Sequence, residues 1–344
     1  MPLPAHLKPI LAALISPAAQ AAVFCVGSPA ELDAALTVAR ANGEADDVRV
    51  VAGTYALAAP LVYSTHQAFA LTLSGRWNAG CTAQAGPSSI LDGQGQHRIL
   101  YAFSDATGDL AITDLVFSNG RNTGAIAGGG LSIETSSRRV QVERNLFHGN
   151  QDTGSAGAAR IAISTSDFVL VLRNNLVLGN RAPEGGGIVL NVSTGPSAFV
   201  TGNTILANTA TLPGALCGGL CVGGVADFSI SNNILWGNAG GDLHLGNIGS
   251  ARLSSNDIGS LTGQPPAPGS GGNLSVPPGF EPGLLSTRLA PDSPLVNRGD
   301  PQAAGGLGAL DAAQAPRLQG RSVDIGAFET DVLLRVPFEA TPDP

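Results

Sequence analysis

The sequence predicts an all-β fold, a single-stranded right-handed parallel β-helix with a short N-terminal capping helix. Three observations carry that expectation. First, asparagine recurs in phase. Aligning VQVERNLFHGN (140–150), VLVLRNNLVLGN (169–180), FVTGNTILANT (199–209) and FSISNNILWGN (228–238) gives two columns, with steps of 30, 28 and 30 residues in each. One column holds Asn145, Asn175, Asn203 and Asn233; the other holds Asn150, Asn180, Asn208 and Asn238. Second, glycine-led segments with period-two alternation lie between them: GGGLSIE, AARIAIS, GGGIVLN, GGLCVGG and GGDLHLG. Third, the unit is too long for a hairpin and holds no helical pattern, so successive turns must stack as a solenoid. Asparagine tolerates the left-handed backbone of tight bends. Stacked amides also bond along the axis, so both columns are expected to be corner ladders.

The elements follow in chain order. Residues 1–21 read as a signal peptide, with Lys8, an apolar Ile10–Ile15 and an A-x-A site before Ala22. This implies an exported protein, either periplasmic, secreted or associated with the cell surface. Residues 22–89 form the N-terminal cap. Within it, PAELDAALTVARANG places Leu32, Leu36 and Ala39 on one helical face, with Ser28 as N-cap. Coils are expected over 90–260, starting with ILDGQGQHRILYAF. ITDLVFSNG puts Asp114 and Asn119 in the two columns one turn earlier, and LSSNDIG puts Asn256 one turn later. Residues 261–330 read as loop-rich coils and a cap over the last coil, ion-paired through Asp300, Asp311, Arg317, Arg321, Asp324 and Glu329. Residues 331–344 read as a loose tail.

Composition narrows the function. Charged residues are 13% and the net charge is −8, so no basic face exists for nucleic acid. No segment after the leader is apolar for long enough to span a membrane, and a monomer is expected. The simplest pairing of the four cysteines is Cys25 with Cys81 and Cys217 with Cys221, the latter requiring a turn within CGGLC. The five histidines are scattered, and neither a cofactor nor a metal site is expected.

Chemistry is sought on the outward face of the glycine-led sheet. The reading by alternation sets Leu131 and Ile133 level with Ile161 and Ile163, and gives as outward positions Gly130, Ser132 and Glu134, then Arg160, Ala162 and Ser164, then Gly187, Val189 and Asn191, then Gly219, Cys221 and Gly223, then Asp242, His244 and Gly246. Glu134, Arg160, Asp242 and His244 are the catalytic candidates, with Glu134 and Arg160 a pair of opposite sign across coils. A hydrolase needs two carboxylates across a cleft, and a lyase needs a base with cations. Arg144 and Arg173, with Glu143 between them, are expected to form a solvated charged face.

GTY (53–55), DGQGQHRI (92–99), SPLVNRGD (293–300) and, after Arg317, VDIGAFE (323–329) resemble secreted bacterial β-helix proteins of the choice-of-anchor Q type. The resemblance implies a pectate-lyase-like fold and a secreted or surface location. The expected function is a non-catalytic binding or surface-interaction module toward polysaccharide or cell-envelope glycan. The alternatives are a polysaccharide lyase or glycoside hydrolase, and a purely structural stalk.

Overall fold

The computed structural model describes residues 21–330, apart from 194, 196, 284 and 285. The expected signal peptide, but for residue 21, and the expected tail lie outside these residues. The chain forms a parallel β-helix. Sheet A has nine strands, running from Ala22–Val26 to Ser250–Ser254. Sheet B has eight, from Gly53–Ala56 to Asp257–Ile258, and sheet C eight, from Leu61–Thr65 to Leu261–Gly263. A short sheet D has four, from Arg121–Asn122 to Thr209–Ala210.

Coils begin at Asp46, well before residue 90. Asp46–Val51, Gly53–Ala56 and Leu61–Thr65 pair in parallel with Leu71–Trp77, Ser89–Asp92 and Leu100–Ser104. These turns escape the asparagine pattern because other groups close them. Tyr55 donates its hydroxyl to Val26 O and Val51 O, and Ser89 Oγ donates to Val50 O and Val51 O. Helix α1 (Pro29–Ala39) closes the N-terminal end. Ser28 Oγ accepts from the Glu31 amide at 3.2 Å, and Leu32, Ala35, Leu36 and Ala39 are buried.

Inward columns make one continuous core. In sheet C, Leu131, Ala159, Ile188, Leu220 and Leu243 stack in register. In sheet B, Phe117 and Phe147 stack with ring centres 4.8 Å apart. The glycine runs mark the corner before sheet C. A Cβ on Gly218 would stand 2.1 Å from Ala239 O, and one on Gly186 would stand 2.4 Å from Thr209 N. No side chain fits between coils there.

The asparagine columns are buried ladders. Asn175 donates its backbone N–H and Nδ2 to Asn203 Oδ1 at 3.0 and 2.9 Å, and Nδ2 also donates to Val142 O at 2.9 Å. Its own Oδ1 accepts from the Asn145 amide. One side chain therefore ties three coils together. The first ladder runs from Leu115 N through Asn145, Asn175, Asn203, Asn233 and Asn256 to Asn273. The second runs from Gly120 N through Asn150, Asn180, Asn208 and Asn238 to the Asp242 carboxylate.

Two sequence expectations are corrected here. The left-handed backbone lies one residue before each ladder member, at Arg144, Asn174, Gly202 and Asn232, and at Gly149, Gly179, Ala207 and Gly237. The ladder asparagines are selected for hydrogen bonding, not for backbone tolerance. Asp114 and Asn119, with φ of 60° and 54°, occupy the left-handed positions and not the ladder columns. Leu115 and Gly120 stand in the ladder columns one turn before Asn145 and Asn150.

The C-terminal segment is a strap and not only a cap. Residues 264–276 add a partial turn, with the Ala267, Gly271 and Leu274 amides donating to Ala251 O, Leu253 O and Asn256 O. The chain then runs back along the corner between sheets A and B. It exchanges hydrogen bonds between Asp300 and Asn232. Leu307 O and Leu310 O accept from Asn174 Nδ2, and Gln314 donates to Asp114. Its Leu289, Leu295 and Ile325 pack with Ile234 as a second apolar cluster, with Trp236 and Phe280 packed against it.

Asn203→Ala is expected to remove about 3 kcal/mol of stability, because buried amides and a carbonyl on both neighbouring coils lose their partner. Asn191→Ala, at an exposed position, should change it by less than about 0.5 kcal/mol. Urea unfolding of the two variants checks the difference.

Candidate functional site

The outward face of sheet C is built from two columns. Strand pairing stacks Tyr101, Ser132, Arg160, Val189, Cys221, His244 and Thr262 in the first. The second stacks Phe103, Glu134, Ala162, Asn191 and Gly223. Arg160 thus aligns with Ser132, two residues from the register read by alternation, because Ala159 and not Ile161 pairs with Leu131.

Glu134 and Arg160 do pair. Arg160 Nη1 lies 2.5 Å from Glu134 Oε1, and the Tyr101 hydroxyl donates to Oε2 at 3.1 Å. Burial, then the bond to Glu134 and its charge, push the Tyr101 phenol above its ordinary pKa, so it remains a donor. Arg98 places its guanidinium 5.6 Å from the Tyr101 ring centre and donates to Gly128 O and Ile126 O. Burial first pulls Arg98 below its ordinary value, against the favourable charge of Asp152.

A cavity of about 410 Å³ opens beside this group, lined by Phe103, Asp105, Glu134, Ser136, Ser164 and Asn191 among others. Asp105, Ser136, Ser164 and Ser193 each follow the last residue of their strand, so they form a polar rail along the axis. Ser136 and Ser164 share a hydrogen bond at 3.0 Å, and Ser193 Oγ donates to Thr165 O at 2.7 Å. Asp105 accepts from His66 at 2.8 Å, and the His66 ring stands edge-on to Phe103. A second cavity of about 340 Å³ lies against Leu212, Leu216, the Cys217–Cys221 disulfide and His244.

The other candidates are not brought to this group. Asp242 is 5% exposed. Gly240 and Gly241, with φ of 100° and 112°, turn the corner just before it. Its Oδ1 therefore ends the second ladder, and Ser260 holds its Oδ2. It is a structural group and not an outward acid. His244 lines the second cavity, with Nδ1 2.9 Å from Thr262 Oγ1. Tyr101, Phe103 and Asp105 were missed because the coil holding them was read as the first of the sheet. Aligning LYAF with LSIE would have found them.

Both disulfides form in the simplest pairing, with Cα atoms 5.7 and 5.6 Å apart. Cys217 precedes the glycine corner and Cys221 follows it, which supplies the turn. Among the described residues, no group of three His, Cys, Asp or Glu could hold a metal ion. Among them also, no helix is long and apolar enough to cross a membrane.

The Arg144–Glu143–Arg173 group is largely withdrawn from solvent, contrary to the solvated face expected. Glu143, 2% exposed, bridges Arg144 and Arg173, while Arg144 also clasps Asp114 at 2.8 Å through two nitrogens. The strap covers it: Arg173 donates to Gly305 O and Gly306 O. Within the strap itself, Arg317 is 1% exposed. It donates to Glu329 Oε2, Asp324 O, Gly326 O and Phe328 O. Asp311 and Asp324 accept from backbone amides beside it, while Arg321 is exposed and Asp300 lies apart on Asn232. The cluster holds the strap and does not face a cleft.

Comparison of the chain with protein-family models, with curated proteins and with solved structures finds no match.

Two strap-associated acids set a pH dependence. Glu329 is pushed up to about 7, first by burial and then by Asp324, with Asp311 adding and Arg317 opposing. Asp257 is pushed up to about 6 by burial and by Asp242, against a bond from the Val276 amide. Both values lie above the ordinary 4.5 and 3.8, so the folded protein holds more protons than the unfolded chain between them. Their contribution is full below about pH 4 and is lost as pH rises through 6 and 7. The urea midpoint is expected to fall from pH 5 to pH 8, and Glu329→Gln with Asp257→Asn should flatten that slope.

Proposed function

We propose that this protein is an exported, non-catalytic glycan-binding β-helix that holds a polysaccharide chain on the outward face of sheet C. The carrying observation is the state of Glu134. One of its oxygens is held by Arg160 and the other by Tyr101, so the carboxylate that faces the cavity is fixed in place and already partnered on both sides. Around it, Phe103 offers an aromatic wall for the apolar face of a sugar ring. Asn191 and the serine rail offer hydroxyl partners that repeat once per coil. A solenoid repeats such contacts along its axis, which suits a polymer better than a compact metabolite. The resemblance to secreted bacterial β-helix proteins of the choice-of-anchor Q type, the leader-like N-terminus and the two disulfides support export to the periplasm or beyond.

A hydrolase is the second reading, favoured by one feature. Asp105 and Glu134 line the same cavity, and two carboxylates across a groove are what glycoside hydrolysis needs.

Incubating the protein with a panel of neutral and acidic polysaccharides separates the two. Binding is expected as retention on at least one immobilised polymer, with no new reducing ends and no unsaturated uronate absorbance. Phe103→Ala should weaken retention about tenfold, the loss of one aromatic contact of roughly 1 kcal/mol or a little more. Release of reducing ends that Glu134→Gln and Asp105→Asn abolish would replace binding with hydrolysis as the function.

A further inference from the structure

Resting on the glycan-binding reading, we infer that the groove takes an uncharged polysaccharide and rejects polyuronates. The charged side chains among the described residues that line the larger cavity are Asp105 and Glu134, both acidic. The cations near them are already committed. Arg160 lies 2.5 Å from Glu134 and neutralises it. Arg98 sits behind Tyr101, with its guanidinium turned onto the ring and onto Gly128 O and Ile126 O. His66 Nδ1 is engaged with Asp105 at 2.8 Å. Asp105, Glu134 and Arg160 together, two carboxylates and one guanidinium, carry one formal net negative charge.

A uronate entering the groove would meet that charge, and the chain as a whole carries −8. To bind Arg160 it would have to compete with Glu134, whose other oxygen is also held in place by Tyr101. Hydroxyl groups meet no such cost. Glu134, Asn191 and the serine rail accept from or donate to them, and Phe103 packs against a ring face without regard to charge. The groove is therefore selective by repulsion as much as by fit.

The test uses polymers with one backbone and two charge states. The protein is passed at pH 7.5 and low salt over immobilised polygalacturonate, over its fully methyl-esterified form, and over neutral glucan and mannan. Retention is expected on at least one neutral polymer, with the methyl ester bound at least about tenfold more tightly than the free acid. About 1 M salt should narrow that ratio, because it screens the repulsion. Asp105→Asn should narrow it as well. Equal or tighter binding to polygalacturonate would overturn the charge selection while leaving the glycan reading in place. An unchanged ratio in Asp105→Asn would remove the assigned cause. Retention on none of the polymers would remove the glycan reading itself, and the selection with it.

Discussion

The fold depends on one repeated interaction, the side-chain amide that bonds to both neighbouring coils. At each ladder corner the chain leaves one strand and enters another, so backbone amides and carbonyls lose their ladder partners in a place closed to water. An asparagine there restores them. Its oxygen accepts two bonds from the coil before, and its nitrogen reaches a carbonyl of that coil and the amide oxygen of the next. A buried polar row is tolerable only when every member is satisfied. The ladders meet this condition by ending on groups that can close them: Leu115 N and Asn273 for one, Gly120 N and Asp242 for the other.

Everything outward hangs on that spacing. The ladders keep the coils in register, and register decides which side chains share a column. Tyr101, Glu134 and Arg160 come from three consecutive coils and meet only because the three strands pair as they do. The carboxylate is held from both sides across coils, so the groove presents a fixed charge and fixed donors.

The strap adds a second level of order. It runs against the axis and ties coils that the sheets join only to their neighbours, from Asn232 back to Asp114. It also converts charges that would otherwise face solvent into buried ones. Arg317 with its acids forms a hydrogen-bonded network inside this segment, and Arg144 and Arg173 about Glu143 form another under it, and removing one partner would leave an uncompensated charge. The same burial makes Glu329 and Asp257 hard to ionise.

The sequence by itself determined the architecture. A period near 30 residues, with asparagine at equal phase and alternation between, leaves little but a stacked solenoid. Helix α1 with its Ser28 cap was legible, because capping and apolar spacing are local. Both disulfides were legible as the simplest pairing. What only the tertiary structure decided is whatever depends on register between coils. Loop lengths vary from turn to turn, so alternation alone put Arg160 two residues out of register, placed Asp114 and Asn119 one column early, and read Asp242 as an outward acid when it closes a ladder. It could not join Tyr101 and Phe103 to Glu134, which lies some thirty residues further along the chain. Nor could it see the strap, whose contacts with Asn174 and Asp114 span well over a hundred residues and leave no local pattern.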